Sequence, residues 1–422
     1  MNTNKFKNSA VCAALALLIG AAVGVISAFF GISLHFVEKL RAEHIFIFIP
    51  FLGVCGMAVL WMYKHFSPNS EQGLNLAIAY NMGMVDKNGK INDSEHLRKI
   101  GKYPNGYVIL KLISNLAMLL FGASTGKEGT IAACGAAVGD YTSRIFNTRR
   151  FSRTLLIAGV SAGVAGLFQT PLGGMFFALE FTAAGLLAYS ALIPALIAAF
   201  TSYFVSGLCG YTAFHHTVSA LSISSPKDVL FIVICAAAFG ITGTLFTLAL
   251  HGAEKLYKHN VKNRYIGIFT IGCIMAAIFL LIHQGRYSGT GAAMFGELFE
   301  SSAFHSYDFV LKFIFTIICL TAGFSGGEMM PLLAIGASLG ALMSSISGLP
   351  LELTAAMGAC AVYSSATNTL LAPIFIGIEM FGTECTFYIV IACVIAYAIN
   401  GNHSVYGRQG VVRRSIYGHL AK

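Results

Sequence analysis

The chain has 422 residues, of which 56% are hydrophobic and only 11% charged, with a mean hydropathy of +0.73. That composition excludes an ordinary soluble globular protein and reads as one that crosses a membrane several times. Its formal net charge of +9 suits a nucleic-acid partner at first sight, but membrane topology accounts for the charge and leaves a nucleic-acid reading nothing to explain.

In chain order, the first apolar stretch runs from about Ala10 to Phe36 and follows Lys5 and Lys7. It is well over the ~7–15 residues of a signal-peptide core, so it is read as a retained helix. Further stretches run His44 to Tyr63, Val108 to Leu120, Leu155 to Thr182, Leu187 to Leu208, Val229 to Leu250, Ile266 to Ile282 and Val310 to Thr321, then nearly unbroken from Pro331 to Asn400. Several are shorter than the ~20 residues a spanning helix needs, and glycine interrupts others. Half-spanning or tilted helices are therefore expected, because irregular backbone at membrane depth is tolerated only where protein buries it or it lines a cavity. The expected architecture is an all-α polytopic membrane protein with one transmembrane domain over residues 1–422. The last apolar segment ends about twenty residues before Lys422, which leaves no room for a cytoplasmic regulatory domain.

Of the 27 lysines and arginines, 20 fall in five groups: at the N-terminus, from Lys87 to Lys111, from Arg144 to Arg153, from Lys255 to Arg264, and from Arg408 to Lys422. The positive-inside rule makes these cytoplasmic, along with both termini, and puts the stretch with Glu297, Glu300 and Asp308 outside. The ten cysteines, from Cys12 to Cys393, form no C-x-x-C pair and no Cys/His cluster at metal spacing, so they read as inert buried thiols. The histidines, mostly at segment ends or in loops, read as interfacial. Nothing calls for a cofactor or a metal.

Two glycine-framed strings occupy equivalent places in the two halves, Ser124-Thr-Gly-Lys-Glu128-Gly-Thr130 and Ser325-Gly-Gly-Glu328-Met-Met-Pro331. A carboxylate in apolar membrane sequence costs roughly 2.5–3.5 kcal/mol at a helix centre, so Glu128 and Glu328 are candidate functional residues. A shift of 201 residues puts Ser124 on Ser325, Gly126 on Gly327, Gly135-Ala136 on Gly336-Ala337 and Gly139 on Gly340, while a shift of 199 puts Gly159 on Gly358, Thr170 on Thr369 and Glu180 on Glu379. The halves, about 10–210 and 228–410, read as an inverted repeat meeting around a midplane site. Interrupted helices there would point N-terminal N–H groups at an anion. For Gly135 to Gly139 and Gly336 to Gly340, close helix packing is the preferred reading.

At these residues the chain resembles the CLC superfamily of chloride channels and anion/proton antiporters. Four anion-site elements of that family have counterparts in order: Gly73-Leu74-Asn75-Leu76-Ala77, Gly126-Lys127-Glu128-Gly129-Thr130, Gly327-Glu328-Met329-Met330-Pro331 and His403-Ser404-Val405-Tyr406-Gly407, with Tyr406 opening a final helix. The first three lean toward the bacterial fluoride/proton antiporter branch. Leu74, Met330 and Lys127 depart from the usual Asn or Met, Thr and Arg of those strings. The resemblance implies a CLC-type inverted-repeat bundle with broken and half-spanning helices, exchanging fluoride or chloride for protons in a bacterial inner membrane as a homodimer. It also implies that Gly73, Leu74, Asn75, Lys127, Gly129, Thr130, Met329, Met330 and Tyr406 surround the anion.

On this resemblance Glu128 is the gate. Ionised, it competes with the anion for the same N–H groups; protonated, it leaves. Asn75 and Tyr406 would donate to an anion that has shed water, a demand greater for fluoride than for chloride. A thioether donates no hydrogen bond, so the Met329 and Met330 side chains read as packing. Glu328 reads equally as a second proton carrier or as an acceptor for backbone N–H groups. Glu180 and Glu379 end the symmetric helices and read as structural. Phe181 stands beside the position where chloride/proton members carry an inner proton-transfer glutamate, which implies a different inner route. A chloride/proton exchanger and a passive chloride channel share the fold. From another class, an intramembrane serine protease is suggested by Gly323-Phe324-Ser325-Gly326 and by Gly159-Val160-Ser161-Ala162-Gly163.

Overall fold

The computed structural model describes residues 3–67, 71, 73–82, 103–219 and 225–411. Among these, the first half contains α1 (Thr3–Glu43), α2 (Leu52–Phe66), α3 (Leu74–Met82), α4 (Tyr107–Leu120), α5 (Glu128–Ile145), α6 (Ser152–Phe168), α7 (Pro171–Glu180) and α8 (Leu192–Leu208). The second half contains α9 (Pro226–Asn260), α10 (Arg264–Leu281), α11 (Ala292–Ser301), α12 (Asp308–Ala322), α13 (Met329–Ser347), α14 (Leu351–Thr367), α15 (Leu371–Phe381) and α16 (Thr386–Asn400). The two series follow each other helix for helix. Six segments among the described residues are long and apolar enough to cross a membrane: Ser9–Glu43, Ile45–Phe66, Tyr189–Leu208, Pro226–Asn260, Arg264–Leu281 and Met329–Ser347. The shorter apolar helices, such as α4 and α15, are the half-spanning elements that segment lengths anticipate.

The two longest apolar runs of the second and fourth quarters are not single helices. Leu155 to Thr182 breaks at Gln169, where φ is +55°, and restarts at Pro171, which suits a first helical position because it needs no N–H partner. Pro331 to Asn400 resolves into α13 to α16, with left-handed backbone at Gly348 and Asn368 and positive φ again at Gly382. Hydropathy misses these breaks because both sides of each are buried in protein. From Leu155 to Phe168, α6 is buried on every face, as is α14 from Leu353 to Thr367.

Close approach of α5 to α6, and of α13 to α14, depends on the glycines singled out above. A methyl group at Gly135 or Gly139 would strike the carbonyls of Gly159 and Leu155, and one at Gly336 or Gly340 those of Gly358 and Thr354. The packing reading of those glycines therefore holds.

The helices α7 and α15 cross at the centre and exchange their glutamates. Glu180, ending α7, accepts from the N–H groups of Leu371 at 3.0 Å and Ala372 at 2.9 Å at the start of α15. Glu379, near the end of α15, accepts from Leu172 and Gly173 at the start of α7, each at 2.9 Å. Each carboxylate thus satisfies donors that a helix start leaves unpaired. Between them Phe176 stacks on Phe375 with centroids 4.4 Å apart. The structural role expected of both glutamates is the one their geometry shows.

Two expectations change. Lys111, counted above with a cytoplasmic loop, lies within α4 and is 2% exposed, its ammonium 5.2 Å from the centre of the Tyr63 ring. Tyr406 opens no helix within the described residues. It sits in irregular backbone, after which Gly410–Val411 pairs in parallel with Ala183–Ala184. The basic stretches Lys87 to Lys102 and Arg413 to Lys422 lie outside the described residues.

Replacing Glu180 with alanine strips two helix-start donors of a charged acceptor, at about 1.5–3 kcal/mol for a hydrogen bond to a charged group. A clear drop in melting temperature in detergent is expected for Glu180→Ala and for Glu379→Ala, and none for Glu384→Ala in the exposed turn between α15 and α16.

Candidate functional site

The two glycine strings meet each other. Gly126 N–H donates to the Gly327 carbonyl at 2.5 Å, and Gly327 N–H donates to the Gly126 carbonyl at 2.9 Å, an antiparallel bridge between the halves. Neighbours reinforce it. The Asn115 side chain donates to both Gly126 O at 3.2 Å and Ser325 O at 3.1 Å, and Thr125 Oγ1 donates to Ser325 O at 3.3 Å. Gly327 has no room for a side chain: a Cβ there would come within 2.6 Å of Gly129 N. Since α5 begins at Glu128 and α13 at Met329, this bridge brings two helix N-termini to one point.

Glu128 occupies that point. Its Oε2 accepts from Lys127 N–H at 3.0 Å and, across the repeat boundary, from Met330 N–H at 3.2 Å. Oε1 is buried and makes no hydrogen bond. The carboxylate therefore rests as an anion would, on N–H groups of both helix starts, with one oxygen unpaired. Met330 takes part through its backbone, consistent with the packing reading of its thioether. Thr130 is fully buried with its hydroxyl unpaired.

A cavity of about 800 Å³ leads to this point, lined by Gly73, Leu74, Asn75, Gly129, Glu328 and Tyr406 among others. Six candidate positions from all four sequence strings thus line one cavity. Gly73 has φ +54°, a left-handed turn that starts α3 and presents Asn75 to the cavity, where its Oδ1 has no partner. The Tyr406 phenol is a hydrogen-bond partner of the Glu328 carboxyl group, and Glu128 lies near enough for its charge to act on Glu328. No other residue's backbone N–H caps the Glu328 carboxylate among the hydrogen bonds of the described residues. Lys127, Glu128, Thr130, Met329 and Met330 stand outside this cavity lining. The wider lining includes Lys258, Lys262, Arg264 and Arg408, and Arg264 pairs with Glu71 at 3.0 and 2.9 Å.

Behind the strings lie residues that sequence reading passed over. Lys312 Nζ donates to Ser124 Oγ at 3.0 Å and to the carbonyls of Tyr287 at 3.2 Å and Gly289 at 2.8 Å. Ser325, the repeat partner of Ser124, bonds to Tyr63 at 2.8 Å and Ser114 at 3.1 Å, and Tyr63 also bonds to Ser114. The 201-residue shift pairs Lys111 with Lys312 and Asn115 with Thr316, so extending the repeat upstream of the glycines would have found them. The two serines of the protease-like strings are otherwise engaged: Ser161 Oγ donates to the Ala195 carbonyl at 2.9 Å, and the Ser325 hydroxyl has tyrosine and serine partners. No histidine contacts either hydroxyl among the described hydrogen bonds, and a serine nucleophile needs a base.

Comparison with known proteins agrees with this architecture. Residues 55–401 match the family described as voltage gated chloride channel. A chloride/fluoride channel protein of Pseudomonas syringae pv. tomato is 33% identical over 405 residues, covering 94% of this chain and 86% of that protein. An H(+)/Cl(-) exchange transporter of Vibrio vulnificus is 23% identical over 415 residues, covering 90% and 84%. Among solved structures, a CLC-type fluoride/proton antiporter superposes with a TM-score of 0.89 at 32% identity, covering 95% of this chain and 98% of that one. A slow cyanobacterial Cl-/H+ antiporter shares the fold, with a TM-score of 0.77 at 18% identity and coverage of 94% and 96%. With its repeat, its converging helix starts and a family match over most of its length, the chain belongs to the CLC family, the voltage gated chloride channels and their antiporter relatives.

Proposed function

We propose that this protein exchanges fluoride for protons across the membrane, with Glu128 as the gate and proton carrier. The observation that carries the reading is the Glu128 carboxylate on the Met330 N–H of the opposite repeat, with Oε1 unpaired. A carboxylate there and a free anion cannot both use the same donors, so anion entry requires the carboxylate to leave. Protonation lowers its hold on those N–H groups, because hydrogen bonds to an ionised acceptor are the stronger kind. Each departure of Glu128 thus takes up a proton, and each return releases one.

Glu328 extends the proton route. Its contact with Tyr406, the absence of another residue's N–H on its carboxylate and its place on the cavity wall favour a second proton station over a backbone acceptor. Asn75 and Tyr406 serve as donors to the entering anion from the cavity side, and Lys127 contributes its N–H at the gate. Gly73, Gly129, Leu74, Thr130 and Met329 shape the path. Fluoride is favoured over chloride by the Asn75, Thr130 and Gly326-Gly327-Glu328 features, and the relatives whose names carry fluoride are the more similar, at 33% and 32% identity against 23% and 18%. A chloride/proton exchanger is the second reading, on the names of the more distant relatives. Pairing of two copies with one path each, a bacterial inner membrane location and cytoplasmic termini belong to the same proposal.

In proteoliposomes under matched gradients, fluoride efflux is expected to exceed chloride efflux and to drive proton uptake; chloride efflux as fast as fluoride would overturn the fluoride assignment. Asn75→Leu and Tyr406→Phe each remove a donor to an ion, about 1.5–3 kcal/mol, so each should slow fluoride transport by about tenfold or more while the protein stays folded. Glu128→Gln cannot ionise. Proton movement driven by fluoride should vanish in it, with anion flux stopped or uncoupled, and Glu328→Gln should impair coupling less completely. Wild-type coupling in Glu128→Gln would remove Glu128 from the gate.

A further inference from the structure

A second cavity, of about 770 Å³, has no part in the scheme above. Glu38 and Arg41 of α1 line it, with Arg286, Thr290, Gly291 and Glu297 among others. Glu297 belongs to the stretch that the charge distribution puts outside, whereas the cavity at Asn75 holds Lys258, Lys262 and Arg264 of a group it puts inside. On that distribution the two cavities open toward opposite faces of the membrane. The repeat also relates them. Gly73 precedes α3 with φ +54°, and a Cβ there would lie 3.7 Å from the Nζ of buried Lys111; Gly291 precedes α11 with φ +86°, and a Cβ there would lie 3.3 Å from the Nζ of buried Lys312. Each cavity thus includes a glycine that turns into a short helix backed by a buried lysine, and the two lysines are repeat partners.

Arg41 is 8% exposed, yet no carboxylate stands at ion-pair distance from it among the described residues. Glu38, one turn back on α1, accepts from Thr290 Oγ1 at 2.5 Å, and Arg286 takes Glu297 at 2.5 Å and Asp308 at 3.1 Å. One Arg41 nitrogen donates to the Leu119 carbonyl, near the end of α4, at 2.6 Å. A neutral amide would serve as well for that bond, and the pull of a helix C-terminus on a cation is small beside the cost of burying one. Lys312, wholly buried, likewise has no carboxylate at ion-pair distance among the described residues. The two cations flank Gly289: a methyl group there would strike the Arg41 guanidinium, and its carbonyl accepts from Lys312 Nζ at 2.8 Å. Lys312 in turn reaches Ser124 Oγ at 3.0 Å, in the string that carries Glu128. Buried cations without counter-ions, at a cavity that also receives a helix start, mark a place for an anion.

We propose that this cavity is a second anion station on the outer side of the gate, in which Arg41 and the start of α11 hold the anion before it reaches Glu128 and after it leaves. Thr290 Oγ1 already accepts from the first N–H of α11, that of Ala292, at 3.2 Å, and the next N–H groups of a helix start have no partner within the helix. A guanidinium suits the task because it stays charged at every working pH and spreads its charge over several donors. The inference rests on the exchange reading above and adds to it a mouth on the face opposite the Asn75 cavity.

The test measures anion uptake into proteoliposomes whose outward face carries this cavity, for the wild type, Arg41→Gln and Arg41→Lys. Glutamine keeps an N–H donor for Leu119 and loses the charge; lysine keeps both. Losing a charged contact should raise KM for the anion by about tenfold or more in Arg41→Gln, with kcat within about twofold, and should make uptake at limiting anion less sensitive to ionic strength. Arg41→Lys should stay within about threefold of the wild type. A residue that only caps α4 would change the melting temperature and leave KM and its salt dependence alone. KM within about twofold of the wild type in Arg41→Gln, or an equal loss in both variants, would overturn the proposal. Should Arg41→Gln fail to fold, Ala293→Cys, at an exposed position of the same lining, is labelled with charged thiol reagents and compared with the wild type treated alike, since Cys209 and Cys273 are also exposed. A sulfonate reagent should raise KM and an ammonium reagent should not; equal effects of the two, or none, would overturn the proposal. If the wild type takes up chloride and not fluoride, the fluoride assignment falls by itself, and the same comparison made with chloride decides the role of Arg41.

Discussion

Two backbone hydrogen bonds, between Gly126 and Gly327, hold the remaining features of the site in place. They join the irregular strings that precede the buried helices α5 and α13, one from each half. Because α5 and α13 start within two residues of this bridge, their unpaired N–H groups must converge. A membrane interior offers no water to those donors. They need an acceptor, and the structure supplies Glu128.

The same requirement is met twice by one device. At α7 and α15 the acceptor for each helix start comes from the other half, Glu180 for one and Glu379 for the other. At α5 and α13 a single carboxylate serves donors from both halves. On the proposed scheme the difference is functional. The first arrangement satisfies both ends with a permanent pair, whereas the second leaves one oxygen of one residue unpaired, an arrangement that a competing anion can displace. Stability is thus invested at one crossing and exchangeability kept at the other.

Dense packing makes that exchange local. Glycines 135, 139, 336 and 340 let α5 and α13 lie against carbonyls of α6 and α14 with no space for a methyl group, so these helix axes cannot shift to follow the ion. What can move is a side chain at the helix start. Lys312 and Ser124 on one side of the strings, and Tyr63, Ser114 and Ser325 on the other, brace the strings by hydrogen bonds that reach across the two halves.

Composition, apolar segments and the recurrence of glycine and glutamate at 201 and 199 residues were enough to read a polytopic helical protein with a repeat, and the four short strings pointed to the family and to Glu128, Glu328, Asn75 and Tyr406. These are local or periodic properties, carried by residue type and spacing alone. The breaks at Gln169 and Asn368 were invisible because buried sequence is apolar on both sides of a turn, and Lys111 passed for a loop charge because charge by itself does not report burial. Pairing across the halves was invisible for a deeper reason. That Glu128 bonds to Met330, and that Glu180 caps α15 while Glu379 caps α7, depends on which atoms the packing of the repeats brings together. Those distances are set by the packing of helices far apart in the chain, and only the tertiary structure decides them.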